Sequence, residues 1–180
     1  AQKILDTDAF ETDIRFSPKA NFISYVREQN LYIKDISTQL ETQLTFDGKG
    51  TIKNAMAEFV AQEEMGRMTG YWWSPDERKI AFTQVDESPV EEITRSEIYA
   101  DSIKMITQRY PSAGTPNVNI KLAIKDIASG DTQWIDLGKE QDIYLARVNW
   151  MNDSQTLTYQ WQSRNQQTLE LRAFDSSTAK

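Results

Sequence analysis

The sequence predicts an all-β fold: a partial β-propeller of about three four-stranded antiparallel blades, with a short helical insertion carrying Glu63 and Glu64. Three observations lead there. A hairpin pattern occurs in IRFSPKANFISY, WWSPDERKIAF and VNWMNDSQTLTY, each with an aromatic residue, a polar turn and then alternating apolar residues. A third-strand pattern follows in LYIKDIST from Leu31 and LAIKDIAS from Leu122, and more loosely in LELRAFDSS from Leu169. ETQLTFD and DTQWIDLG then read as outer, fourth strands. Repeated four-stranded units are the sequence mark of a propeller, in which blades pack side by side around a channel. A single β-sandwich with coincident turn spacing is the alternative. The repeat extends over three strands rather than one, which favours blades.

The elements follow in order. Aligned on Phe16, Trp73 and Trp150, the hairpins place Ile23 and Tyr25, Ile80 and Phe82, and Leu157 and Tyr159 at matching offsets. Each first strand ends in its large aromatic residue. Pro18 and Pro75 pre-set a turn dihedral, and polar neighbours keep the turn in water. The second strand then alternates, facing its apolar residues to one side. Blade-like units are expected at about 9–47, 68–138 and 145–180 within one domain spanning 1–180. The last unit stops before an outer strand, and a closed propeller needs about four blades or more. The chain therefore reads as part of a ring.

Two stretches interrupt the period, at about 48–67 and about 86–118. In the first, Ala55, Met56, Phe59, Val60 and Met65 recur near helical spacing. Thr51 or Asn54 would cap that helix and Gly66 would stop it. Insertions on a rigid scaffold are where function concentrates.

Composition removes several classes. The 180 residues carry a formal net charge of −7, and their 20 Lys and Arg are scattered, which disfavours nucleic acid and anionic membranes as partners. Hydrophobic residues make up 39% of the chain, enough for a packed core. There is no cysteine, hence no disulfide, thiolate metal site or cysteine nucleophile. There is no histidine, so no Ser-His-Asp triad forms within this chain. No apolar stretch is long enough to span a bilayer, and AQKILDTDAF lacks the shape of a signal peptide. No cofactor is expected.

Glu63 and Glu64 are the sharpest local feature. Adjacent helical residues point about 100° apart, so both acids reach one ligand only near a helix end. A helix C-terminus disfavours negative charge, so a compensating cation such as an α-ammonium group would suit the pair. A solvated acidic turn, with Arg67 as partner, is the other reading. Trp72 and Trp73 alternate in a strand, one toward the core and one toward a neighbouring blade or the channel. Asp6, Asp8, Glu11 and Asp13 lack the Gly and terminal Glu of a calcium loop and read as solvated. Glu87, Glu91 and Glu92 read as a further exposed acidic run. Metal chemistry would have only carboxylates at unremarkable spacing, so no metal site is expected.

The segment EFVAQEEMGRMTGYWWSPDERKIAFTQVDES, followed by YPSAGTPNVNIKLAI, resembles the propeller domain of the dipeptidyl peptidase IV family, serine exopeptidases of the prolyl oligopeptidase group. The likeness covers most of the chain and is strongest from Glu58 to about Ile124. It implies an eight-bladed propeller beside an α/β-hydrolase domain, with the catalytic serine, aspartate and histidine outside this chain. It further implies that Glu63 and Glu64 grip the free N-terminal amine of a peptide. The parent enzyme would then release N-terminal dipeptides ending in proline or alanine. Arg67 would line the rim near the substrate's first side chain, or hold Glu63 or Glu64 in position. The family's backbone-binding arginine has no counterpart identified here. Members are commonly dimers, and the insertion from Asp86 to Val118 is long enough to reach a partner. Relatives are periplasmic or secreted, with cytosolic members as the alternative. The competing reading is a propeller-like protein-interaction module without a peptidase role.

Overall fold

β-Branched and aromatic residues alternating between polar turns form strands throughout the chain. The computed structural model describes Leu5 and residues 9–180. The first sheet has the order β1 (Glu11–Phe16), β2 (Phe22–Arg27), β3 (Asn30–Asp35), β4 (Glu41–Gln43). The second contains β5 (Ile52–Asn54), β6 (Tyr71–Trp73), β7 (Lys79–Asp86), β10 (Asn119–Asp126) and β11 (Thr132–Ile135). Its order is β11-β10-β7, with β5 and β6 sharing the remaining edge of β7. The third is β12 (Ile143–Trp150), β13 (Thr156–Ser163), β14 (Leu169–Asp175). β8 (Glu92–Ile98) and β9 (Ile103–Arg109) pair only with each other, so the second interruption is a projecting hairpin. The one helix among the described residues, α1, spans Phe59–Glu63.

The repeat in sequence is a repeat in backbone. Ser17, Ser74 and Met151 each donate an amide hydrogen bond across the turn, to Phe22 O, Lys79 O and Thr156 O at 2.9, 2.9 and 2.8 Å. Three residues on, Ala20, Glu77 and Ser154 adopt positive φ of 59, 67 and 57°. The connections after β3, β10 and β14 match as well. Asp35, Asp126 and Asp175 each accept from two following amides, and Gln39, Gly130 and Ala179 then turn the chain at φ 62, 76 and 60°.

The sheets stack through two apolar layers. Val26, Leu31, Ile33, Tyr71, Ile80 and Phe82 close the first against the second. Ala81, Val85, Leu122, Leu145, Leu157 and Trp161 close the second against the third. β7 is buried on both faces, which is why its apolar run does not alternate with polar residues. Trp73 stacks on Phe22 toward the first sheet, with ring centroids 5.6 Å apart. Trp72 packs in the layer facing the third. Each tryptophan thus faces a different neighbour.

The first interruption departs from its expected form. The helical spacing beginning at Ala55 does not produce a helix there, because Ile52–Asn54 pair with Gln84–Asp86 as a strand. Asn54 does not cap a helix; its side chain donates to Asp47 Oδ1 at 2.8 Å and accepts from Gln84 Nε2 at 3.1 Å. Thr51 lies before that strand, and the cap is Glu58. No helix among the described residues is long and apolar enough to cross a membrane. Asp6 and Asp8 lie outside the described residues.

Candidate functional site

The acidic insertion leaves the sheet in mid-strand. Asn54 pairs with Gln84 and Tyr71 with Phe82, so residues 55–70 all stand opposite the single residue Thr83. The third sheet has a β-bulge at the matching place, where Ala146 and Arg147 stand opposite Gln160 between the pairs Leu145–Trp161 and Val148–Tyr159. The insertion is therefore an enlarged bulge. A bulge has already given up one rung of the ladder, so the chain can leave there without unpairing the strand on either side.

Thr83 clamps the neck. Its amide donates to Gly70 O at 2.9 Å, its carbonyl accepts from Ala55 N at 2.8 Å, and its hydroxyl reaches Met56 O at 3.1 Å. Met56 and Thr69 form a further bridge across the neck. Gly70 is required by this closeness: a Cβ there would lie 2.3 Å from Met56 N and 2.4 Å from two backbone carbons.

Beyond the neck, Glu58 takes an extended conformation and its Oε2 accepts from Ala61 N at 3.0 Å, capping α1. Glu64 closes the last turn through its amide to Val60 O at 2.9 Å. Gly66 then turns the chain at φ +61°, and the Arg67 amide returns to Ala61 O at 2.8 Å. A helix this short has little stability of its own; these bonds and its packing hold it.

Arg67 is the centre of that packing and is only 4% exposed. Its Nε donates to Leu145 O at 3.0 Å, directly before the bulge of β12, and one terminal nitrogen donates to Thr69 O at 2.8 Å. Its other terminal nitrogen faces Glu58 Oε1 at 3.6 Å, with both side chains almost wholly enclosed. The guanidinium also lies 5.9 Å from the Trp72 ring. Burial pushes the Glu58 carboxyl above its ordinary range, although the Ala61 amide and the Arg67 charge pull it down. Burial likewise lowers Arg67, against the pull of Glu58. The expectation of Arg67 on an open rim is corrected here. Its charge is met by Glu58 at 3.6 Å, its Nε by Leu145 of the neighbouring sheet and one terminal nitrogen by Thr69, while the nitrogen facing Glu58 makes no hydrogen bond.

Glu63 and Glu64 lie at the far end of α1 and are both exposed. Among the described residues neither carboxylate has a hydrogen-bond or ion-pair partner. Residues Gln62 and Ala61 before them point inward: the Gln62 amide donates to Ala57 O at 2.6 Å and Ala61 is fully buried. Both acids are therefore carried on a braced platform and open to solvent. The cavity beneath the helix, bordered by Glu58, Val60, Val90 and Tyr144, has a volume of about 20 Å³, too small for any ligand larger than water.

Three of the other acids singled out by the sequence are paired. Glu87 pairs with Lys53 at 2.6 Å and Glu92 with Arg109 at 3.0 Å. Asp13 pairs with Arg15 at 2.5 Å. No group of three or more potential metal-ligating side chains occurs among the described residues. Adjacent acids before a glycine made Glu63 and Glu64 visible in the sequence. Glu58 was missed, because its partner Arg67 lies nine positions on, outside any helical pairing rule.

The chain matches, over residues 1–180, the family described as Dipeptidyl peptidase IV (DPP IV) N-terminal region. It is 26% identical over 167 residues to Dipeptidyl aminopeptidase A of Saccharomyces cerevisiae, covering 89% of this chain and 18% of that protein. The crystal structure of Porphyromonas gingivalis dipeptidyl peptidase 4 superposes with a TM-score of 0.91 at 26% identity, over 98% of this chain and 26% of that one. A structure from Bacteroides ovatus superposes with a TM-score of 0.79 at 23% identity, over 95% of this chain and 23% of that one, which bears on the fold alone. The chain thus spans about a fifth to a quarter of the proteins it resembles. With its stacked antiparallel blades and a family match along its whole length, this chain belongs to the N-terminal region of the dipeptidyl peptidase IV family.

Proposed function

We propose that this chain is the substrate-selecting portion of a dipeptidyl peptidase, and that Glu63 and Glu64 bind the free N-terminal amine of a peptide. One observation carries the reading: two adjacent, exposed carboxylates without a partner among the described residues stand on an insertion clamped into an edge of the second sheet. An α-amino group has a pKa of about 7.7–8.0 and is mostly protonated at neutral pH. Its three donors suit two carboxylates through charge-assisted bonds. A peptide seated over the acids would shield them from water. A blocked amine would then leave them desolvated without a counter-charge, so the same pair supplies affinity and rejects internal segments of a chain. The grip fixes the distance to the scissile bond, which falls after the second residue, proline or alanine. The hydrolytic serine, aspartate and histidine belong to a hydrolase domain of the same polypeptide.

The test uses the full-length protein with a free-amine Xaa-Pro chromogenic substrate and its N-acetylated twin. Wild type is expected to cleave the free amine far faster than its N-acetylated twin, and Glu63→Gln or Glu64→Gln to lose at least about tenfold in kcat/KM for the free amine. Rates within about twofold of wild type for both variants would overturn the reading. The interaction-module alternative would then lead.

A second contact is favoured by the hairpin. One face of β8 and β9 presents Ile98, Ile103 and Met105, exposed by 78, 67 and 62%. We propose that this face meets a second copy of the protein. Sedimentation of the full-length protein is expected to show a dimer, and an Ile98→Lys/Ile103→Lys variant a monomer; a wild-type monomer at micromolar concentration would refute it.

A further inference from the structure

The acid pair sits at the end of a helix of five residues, Phe59–Glu63, which is too short to hold its own direction. What fixes that direction is a buried brace at its base. Glu58 joins the helix through Oε2, which accepts from Ala61 N at 3.0 Å, and faces Arg67 through Oε1 at 3.6 Å. Arg67 lies just beyond the turn that ends the insertion, and it donates to Thr69 O at 2.8 Å and to Leu145 O at 3.0 Å. Leu145 is the last paired residue before the bulge of the next sheet. One guanidinium therefore ties together the start of the helix, its return strand and the neighbouring blade.

We propose that Glu58 and Arg67 are positioning residues that aim Glu63 and Glu64 at the substrate amine, without touching substrate themselves. This rests on the amine-binding role of Glu63 and Glu64. The buried geometry assigns the task to arginine in particular. Lysine presents a single ammonium in place of the planar fork that here serves two carbonyls and a carboxylate at once. Neither Glu58 nor Arg67 is available to a ligand, since they are 3% and 4% exposed. A misdirected acid pair loses discrimination as well as affinity, because a tilt of the helix moves both carboxylates together.

The test measures amine discrimination, the ratio of kcat/KM for the free-amine substrate to that for its N-acetylated twin, in the full-length protein. It compares wild type, Arg67→Met, Arg67→Lys, Glu63→Gln, Glu64→Gln and the double variants Glu64→Gln/Arg67→Met and Glu64→Gln/Arg67→Lys, at a temperature where circular dichroism shows all of them folded. Arg67→Met is expected to lower discrimination by about tenfold or more, chiefly through KM, with Arg67→Lys between it and wild type. In the Glu64→Gln background the same change is expected to cost less than about twofold more, since the pair it aims is already broken. A purely structural arginine would instead act equally in both backgrounds, and that result overturns the proposal. Should Arg67→Met fail to fold, Arg67→Lys decides alone, by losing discrimination only where Glu64 is present. If Glu63→Gln and Glu64→Gln leave discrimination unchanged, the amine-binding role itself is wrong. If they abolish it while Arg67→Met and Arg67→Lys keep it within about twofold of wild type, only the positioning role falls.

Discussion

Arg67 donates from its Nε to Leu145 O at 3.0 Å, so a side chain from the second sheet's insertion is bonded to β12, an edge strand of the third sheet. The insertion is consequently part of the blade interface. Removing the arginine leaves Glu58 buried beside an unfilled space. Breaking such a pair by one partner costs about 3–5 kcal/mol, whereas removing both charges together costs much less. Urea denaturation of Arg67→Met and of Glu58→Gln/Arg67→Met is therefore expected to show the double variant as the more stable of the two.

The neck admits no side chain at Gly70. A methyl group there meets backbone atoms of Ala55 and Met56 at 2.3–2.4 Å, and backbone cannot rotate away as a side-chain tip can. Gly70→Ala is expected to separate β5 from β6 at a cost of about 3 kcal/mol or more. Hydrogen exchange checks this, through loss of protection at the amides of Ala55 and Thr83, which bond across the neck.

Acid should loosen the joint between the first two sheets. Burial raises Glu77, but hydrogen bonds from Ser17, Asn21 and the Lys19 amide outweigh it and hold its carboxyl below the usual range. A carboxyl depressed in the folded state stabilises it fully above the unfolded value of about 4.3 and loses that contribution as pH falls through the folded value. Wild type is expected to be more stable than Glu77→Gln at pH 7, with the gap closing as the pH falls below about 4. Thermal melts across that range measure it.

Trp150 Nε1 donates to Trp72 O at 2.9 Å, joining edge strands β12 and β6 of the third and second sheets. Trp150→Phe keeps most of the apolar contact and removes the donor. A loss of about 1 kcal/mol in chemical denaturation is expected, with the amine discrimination of the full-length protein unchanged.

The blades were legible because their hairpins share length and aromatic spacing, and both survive as identical turn bonds at Ser17, Ser74 and Met151. The left-handed positions within those turns were not, since Ala20, Glu77 and Ser154 include no glycine to mark them. The helix was overextended. Ala55 and Met56 fall on its apolar spacing, yet they are held in the neck by Thr83, a tertiary constraint that overrides local periodicity. Glu63 and Glu64 could be singled out from adjacency alone. The Glu58–Arg67 brace could not, because burial and the proximity of Leu145 arise only when two blades meet.

Because residues 55–70 leave and rejoin the ladder on either side of one rung, the register of β7 is set without them, while Ala61 and Arg67 bury the base of the insertion against the blades. Only the exposed tip at Glu63, Glu64 and Gly66 is free to change sequence while the ladder on either side keeps its register. Such an attachment separates the residues that face solvent from those that keep the domain folded. A similar insertion could be grown at the same rung of another blade, where the bulge at Ala146 and Arg147 already breaks the ladder.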